Sequence, residues 1–516
     1  MCAAGEQQLP PPGRGITERK DQVGKSISII GAGMGGLAAG IYGRLNGYRT
    51  TIFEQHYLPG GQCTSWKRKG YRFDPCIHHF IGVDPSSRIC SLWEELGALP
   101  REFATTQECV SVSSPDGRTF HDYYDTVRLE QHMKELSTAD SREIERYVNA
   151  IPRFARLDLA GEVLMGTKPR ALGTMLALFP LIWRFRQSME GYASRFNDPL
   201  LRRAFPLLEY SFPHLPFFLH LFKKGQGQAG NIAWPIGGSL EFAKSIEKRY
   251  LDLGGEIHYR QKAVKVLTGG GRAIGVQLEN GEVHRSDIVV SNADGRKSIM
   301  ELLGGRYLNG KIRKACEAPE DETNWAVHVF LGVNRDLSRE PSALVQILDE
   351  PVTIAGHTAR NIEMQMYGMD PSMAPEGKGT IKVELFSKYS YWKELSKNRA
   401  RYEEEKQRVA DAVIDILDRT RFPGIRADIE VVDVPTLMTW ERYIGGTHGF
   451  LSAPPGDLSP AKMFFGRGYA VLPGLSGFYL VGTWATATGA LFSNARSGRM
   501  AIRAICAAGG KPFRTS

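Results

Sequence analysis

Apolar and polar positions change their period several times along this chain. Ile27-Ser28-Ile29-Ile30 is a short apolar run that stops at Gly31-Ala32-Gly33-Met34-Gly35-Gly36, after which Leu37, Ile41 and Leu45 recur every four residues. That order predicts a buried strand, a tight turn and a helix. A second strand, Thr50 to Phe53, ends at Glu54, and a second glycine pair follows at Gly60-Gly61. Leu240 to Leu253 reads as a helix that turns at Gly254-Gly255 into a strand, Glu256 to Tyr259. Lys262 to Leu267 and Ala273 to Leu278 read as paired strands joined through Gly269-Gly270-Gly271, with a further turn at Asn280-Gly281. Trp325 to Val333, Asn361 to Tyr367 and Thr380 to Phe386 alternate apolar and polar residues, which predicts a half-buried antiparallel sheet. Arg401 to Arg419, apolar at Val409, Val413, Ile416 and Leu417, predicts an amphipathic helix that stops before Pro423-Gly424. A strand, Phe478 to Val481, and a last helix reaching Cys506 close the pattern.

A chain of 516 residues, 42% hydrophobic, is long enough to bury a large core in two or three lobes. Residues 1 to 25 carry Pro10-Pro11-Pro12-Gly13 and charges without an apolar core, so a disordered tail is expected, neither signal peptide nor anchor. The charge of +9 comes from 65 basic and 56 acidic residues spread along the chain, which suits a solvated surface and gives no support to nucleic-acid binding. Seven cysteines without CxxC spacing point to reduced thiols in a cytoplasmic protein and to no metal site. Residues 141 to 229 read as mainly helical. Within them Ala171 to Trp183 is apolar and bracketed by Lys168, Arg170, Arg184 and Arg186. It is shorter than the ~20 residues that a crossing needs, and Pro180 interrupts it. A buried cap helix is the simpler reading, and a peripheral membrane contact is the alternative. The aromatic run Phe212 to Phe222 either lines a tunnel or fills the cap core.

The candidate chemistry begins at the glycine turn. Gly31 permits the turn, Gly33 lets backbone approach a pyrophosphate, and Gly36 lets helix and strand pack closely. The N–H groups of Gly33, Met34, Gly35 and Gly36 open the helix toward an anion. Glu54, with Gln55 beside it, stands where a carboxylate accepts both ribose hydroxyls, so a free 2′-OH is expected. Gly60, Gly61 and Gln62 begin a loop suited to passing beneath an extended dinucleotide, which favours FAD over NAD. No second strand–GxGxxG–helix unit exists, so NADPH has no domain of its own and enters only as a transient reductant at an open flavin face.

These segments, together with Pro59 to Trp66, Gly70 to Asp74, Trp234 to Leu240, Val289 to Asp294 and Phe478 to Gly482, resemble the phytoene-desaturase-like FAD oxidoreductases. That family includes carotenoid desaturases and isomerases, retinol saturases and, more distantly, amine oxidases; the resemblance spans most of residues 26 to 507. It implies an α/β fold: a discontinuous Rossmann-type FAD domain (26–95, 230–298 and 470–516), an antiparallel-sheet substrate domain (96–140 and 299–469) and a helical cap (141–229). It also implies cofactor contacts at Val264, whose bland alternative is a core valine, and at Gly482, Thr483, Gly489, Ala490 and Leu491. The last helix would then turn its N-terminus to the flavin ring. Ala487-Thr488-Gly489-Ala490 departs from the family's usual Pro-Gly-Gly-Gly-type loop, and Phe492 replaces a frequent proline.

His78 and His79 follow Asp74 as a histidine does in the saturase and isomerase branches, which implies proton chemistry by a neutral imidazole. Tyr443 and His448 are weaker candidates. The implied reaction is hydride transfer between flavin N5 and a long apolar polyene: desaturation, saturation or isomerisation of a carotenoid-like isoprenoid. Arg44 to Thr50 and Trp93 to Ala98 resemble a second branch, the NADPH-fed reductive cyclases of polyketide polyenes of the polycyclic tetramate macrolactam type. A third reading, a non-enzymatic escort-type lipid-binding protein, shares the fold, and the intact Gly31/Gly33/Gly36 and Glu54 set argues against it. Substrate, redox direction and oligomeric state stay open.

Overall fold

The computed structural model describes residues 24–155, 168–209, 214–317, 319, 326–447, 470–486 and 489–516. The expected disordered tail, Trp325, Phe212, Pro213, His448 and the Ala487-Thr488 part of the departing loop lie wholly or mostly outside them.

Five parallel strands form the first sheet, in the order Glu256–Tyr259, Arg49–Glu54, Ser26–Ile30, Ile288–Ser291, Phe478–Leu480. Strands from three distant stretches of chain therefore share one sheet. The central strand is apolar on both faces because both are covered. Ile27 and Ile29 pack with the helices Met34–Leu45, Gly238–Asp252 and Leu491–Ala508, while Ile30 packs with Val266, Val276 and Val289. Those valines belong in part to a three-stranded sheet, Ala263–Gly269, Arg272–Leu278 and Val283–Arg285, that roofs the other face.

The second sheet has seven strands, ordered Ile429–Asp433, Val327–Val333, Gly379–Leu385, His357–Met366, Ala343–Ile354, Glu108–Ser113, Thr119–Tyr123. The expectation of a half-buried sheet needs correction, because both faces are covered. Val329, Leu331, Ile381 and Val383 pack on the helix Arg399–Arg419, whose Val409, Val413, Ile416 and Leu417 are buried against them. The alternate residues do not meet bulk water. Cross-strand register sets His328, Glu384, Glu363 and Val345 in one row and Phe330, Lys382, Gln365 and Ala343 in the next. Each row ends on an apolar residue, and these two, Ala343 and Val345, join the core of the cap.

That core is aromatic: Tyr147, Tyr192, Phe205 and Phe217 are buried together, and Tyr192 stacks on Phe217 with centroids 3.7 Å apart. Phe217 and Phe218 fill it, whereas Phe222 sits half-buried at the seam with the first domain. The helix Lys168–Arg184 departs from the simpler expectation. Leu176, Phe179 and Trp183 on it are 67%, 62% and 59% exposed, so the buried-cap-helix reading fails for these side chains. No described helix is long and apolar enough to cross a membrane.

Candidate active site

The glycine turn closes on itself at atomic distances. A Cβ on Gly36 would stand 2.0 Å from the Gly31 carbonyl oxygen, so only glycine lets the helix begin this close to the strand. Cβ atoms on Gly33, Gly35 and Gly482 would come within 2.4 to 2.6 Å of the Asn292 amide. Asn292, at the end of the neighbouring strand, thus fills the bowl that three glycines leave. No side chain caps the helix that starts at Met34, which leaves its N–H groups for an anion.

Glu54 is 6% exposed, and its two oxygens accept from Ala32 N at 2.7 Å and His56 N at 2.8 Å. Burial raises its pKa, and those backbone donors oppose the rise. Each carboxylate oxygen keeps a second lone pair for a ribose hydroxyl. Gly60 N donates to Ala32 O at 2.9 Å and Gly60 bridges Gly33, which brings the Gly60-Gly61-Gln62 loop against the turn. A close backbone turn, an uncapped helix start and a buried acid fit the ADP part of a dinucleotide.

The other expected contacts lie on the three-stranded sheet and around the last strand and helix. Val264 is 38% exposed, which rules out a core valine; the strand register shifts between Ala263 and Lys265, so Val264 is the bulged residue with backbone outside the ladder. Gly482 follows the strand Phe478–Leu480 and donates its N–H to Ser497 Oγ at 2.7 Å. Thr483 Oγ1 accepts from Asn494 Nδ2 at 3.4 Å; Gly489 is exposed, Ala490 is the N-cap of Leu491–Ala508 without a side-chain cap bond, and Leu491 is its first residue.

Asp74 anchors the histidines. It is wholly buried and accepts from Ser239 N and Oγ, both at 2.6 Å, and from Cys76 N at 3.0 Å. Burial raises its pKa against those donors. Ile77 N donates to Ser239 Oγ, Gln365 Nε2 to Ile77 O and Tyr367 OH to Asp74 O, so the loop is held between the first domain and the second sheet.

His78 and His79 then meet different side chains. His78 Nε2 is 2.6 Å from Glu384 Oε1, an oxygen that also meets Lys382 Nζ at 2.7 Å and His328 Nε2 at 3.7 Å. His78 Nε2 also lies 3.0 Å from Lys382 Nζ, and burial, then Lys382, lowers the His78 pKa. Burial would lift the Glu384 pKa, yet Lys382 and His78 outweigh it and hold the carboxyl well below its usual range. The side chain of His78 is 19% exposed.

His79 Nε2 lies 3.9 Å from Cys109 Sγ, on the strand Glu108–Ser113 of the second sheet. Burial, then Lys223, drives its pKa well down. Lys223 pairs with Glu209 at 2.8 Å, and Glu209, in spite of burial, is brought to about 2 by Lys223 and His220.

Tyr443 is not part of this group. It is 39% exposed, its ring lies against His56, and its carbonyl accepts from Gln55 Nε2 at 3.4 Å, beside the ribose acid. The end of the helix Leu437–Ile444 meets Gln55 and His56, so the structure sets Tyr443 beside the ribose acid instead of the histidines after Asp74. Lys382, Glu384, Lys223, Glu209 and Asn292 escaped the sequence reading. The alternation of Thr380 to Leu385 was the one available signal, and it registers polarity without telling water from an interior site.

A family model described as an NAD(P)-binding Rossmann-like domain matches residues 29–96. Prolycopene isomerase 2 of an Oncidium hybrid cultivar is 26% identical over 82% of this chain and 74% of its own length. The lycopene-forming phytoene desaturase of a Paracoccus species is 24% identical over 89% and 92%. Among solved structures, a redesigned putrescine oxidase superposes with a TM-score of 0.61 at 15% identity over 94% of this chain and 99% of that one. An oxidoreductase from Methanosarcina mazei gives 0.55 at 17% over 93% and 100%. Those two likenesses establish the fold. With relatives along nearly its whole length and a socket that fits the cofactor, this is an FAD-dependent oxidoreductase similar to the phytoene-desaturase-like enzymes.

Proposed function

We propose that this oxidoreductase desaturates, saturates or isomerises a long, apolar polyene of the carotenoid-like isoprenoid type. The observation that carries the reading is the extent of the match: relatives named phytoene desaturase and prolycopene isomerase align with 82 to 90% of this chain, thus with substrate sheet and cap as well as with the socket. FAD, when bound, supplies two-electron hydride chemistry. Gly31 to Gly36 and Glu54 hold its ADP end, and the sheet and cap exclude water from the space between them. His78, whose Nε2 lies 2.6 Å from Glu384 Oε1 and 3.0 Å from Lys382 Nζ, is the residue to which we assign the proton transfer. Glu384 and Lys382 fix its orientation.

The helix Lys168–Arg184 supports a peripheral membrane contact for loading such a substrate. Exposed Leu176, Phe179 and Trp183 recur at helical spacing, with Arg184 and Arg186 exposed beside them and Arg186 stacked 4.3 Å over Trp183. The test of function begins with the visible spectrum of the purified protein. Flavin absorption is expected, and anaerobic phytoene or prolycopene should bleach it or be converted. Bleaching by NADPH instead points to the reductive cyclase reading. A protein that folds and never binds flavin would sink both and revive the escort-type reading.

A further inference from the structure

A cleft of about 410 Å³ opens where the helix Arg399–Arg419 starts beside the helix Leu437–Ile444 and the end of the strand Ile429–Asp433. Arg68, Arg399, Lys406 and Arg442 line it against Glu403 and Asp433, which leaves two positive charges in excess. Glu403 is shared by Arg399 at 3.5 Å and Lys406 at 3.2 Å. Asp433 is shared by Arg68 at 3.4 Å and the Trp66 indole N–H at 2.9 Å. Arg442 donates to Tyr443 OH at 2.7 Å and lies 4.5 Å over its ring; among the described residues no carboxylate pairs with it.

The local structure gains little from these charges. The helix Arg399–Arg419 opens with an arginine and carries no acid in its first turn, although the positive end of a helix favours acids there. Arg399 and Glu403 have side chains 86% and 47% exposed, and ion pairs as exposed as theirs contribute little to stability. An incoming anion therefore draws these cations from their carboxylates at small cost. An apolar polyene makes no use of them. Guanidinium N–H pairs match two phosphate oxygens, and an ammonium adds a point charge. The volume lies in the range of small-molecule sites, roughly 300–1,000 Å³, so there is room for more than a bare ion. Tyr443 lines the cleft, its ring lies against His56 and its carbonyl accepts from Gln55, so the cleft neighbours the ribose acid. No glycine of the phosphate turn lines it.

We infer that this cleft is a second anion site, outside the flavin socket, that binds the phosphate group of a small phosphorylated metabolite. Arg399, Arg442 and Lys406 receive the phosphate oxygens, while Arg68 stays on Asp433. Pyrophosphate and nucleoside phosphates share that chemistry. The site goes beyond the polyene reading and does not depend on it.

The test uses flavin-loaded protein, whose socket is filled, and titration calorimetry with pyrophosphate, ADP and sulfate at constant ionic strength. Flavin absorption is followed throughout and should not change. Pyrophosphate or ADP is expected to bind one per chain with a dissociation constant below about 1 mM, at least about tenfold more tightly than sulfate. Tighter binding of ADP assigns the site to a nucleotide, tighter binding of pyrophosphate to the inorganic anion, and either supports the inference. Arg442→Gln and Lys406→Gln should each weaken binding about tenfold. Lys248→Gln, an equal loss of charge on the helix Gly238–Asp252, should leave it unchanged. No heat from any probe overturns the inference. Sulfate binding as tightly as the other two means an adventitious ion only and overturns it too, as does binding that survives in both cleft variants or falls equally in Lys248→Gln. Binding that appears only once flavin is removed assigns the anion to the dinucleotide socket, which also overturns it. Arg442 is exposed and Lys406 is 25% exposed, so both variants should fold; the wild-type titrations can overturn the inference even where one does not.

Discussion

Lys382→Met removes one charge from the most deeply buried pair of the site. Met matches the length and most of the volume of lysine, so packing changes little. What changes is the partner: Glu384 is 8% exposed, and without the ammonium its charge stays buried beside His78 and His328. Breaking such a pair from one side costs about 3–5 kcal/mol. The cost should depend on pH. In the native protein burial, then Lys382, depresses the His78 pKa while Glu384 raises it. Removing Lys382 takes away the repulsion and leaves the carboxylate's attraction, so the folded-state pKa of His78 rises. A histidine whose folded pKa is raised contributes stability below its unfolded value and loses it as pH rises through the folded one. The variant's deficit should therefore be smallest near pH 6 and largest at pH 9, with each unit of pKa rise worth about 1.4 kcal/mol. Urea unfolding of the flavin-loaded protein at both pH values, followed by tryptophan fluorescence, measures it. Lys382→Met/Glu384→Gln should recover most of the loss. A deficit equal at pH 6 and pH 9, or a double variant less stable than the single one, would refute the reasoning.

Gly36→Ala should abolish flavin retention, since its Cβ would stand 2.0 Å from a backbone oxygen that no side-chain rotation moves; Gly310→Ala, with open space around it at a helix start, should melt within a degree or two of wild type or slightly higher. Glu54→Gln keeps the shape of the ribose acid and removes its charge and one acceptor, so flavin released on dilution should show about ten- to hundredfold weaker binding. Replacing Leu176, Phe179 and Trp183 together by Ser should remove co-sedimentation with anionic phosphatidylserine vesicles and leave flavin content unchanged. Vesicle binding that persists in that variant would place any membrane contact elsewhere.

The parts legible in the sequence are those whose cause is local. Gly31, Gly33 and Gly36 announce the turn because each is demanded by a backbone approach within a few residues, and Glu54 is found by its distance from them. The stripe Val409, Val413, Ile416 and Leu417 gives a helix and its buried face by period alone, and the structure agrees within two residues at its start. Asn292 illustrates the boundary: the motif around it was visible, but its role in filling a bowl left by Gly33, Gly35 and Gly482 needs three distant segments to meet.

Polarity was legible at Lys382, Glu384 and Lys223; its purpose was not. Strand alternation assigns residues to two faces and is silent about what each face meets, so the polar row was assigned to water when it faces the first domain. The same limit explains Leu176, Phe179 and Trp183, whose apolar run looks alike whether it is covered or not, and Tyr443, which a helix end carries to the ribose acid instead of the histidines. By itself the sequence determined the dinucleotide socket, the family resemblance, and the presence of histidines near Asp74, because hydrogen bonding and sterics within a short stretch of chain force those patterns. Only the tertiary structure decided that buried lysine–glutamate pairs lie near those histidines, because burial, and with it the charge state and cost of every ionisable group there, belongs to the packing of segments hundreds of residues apart.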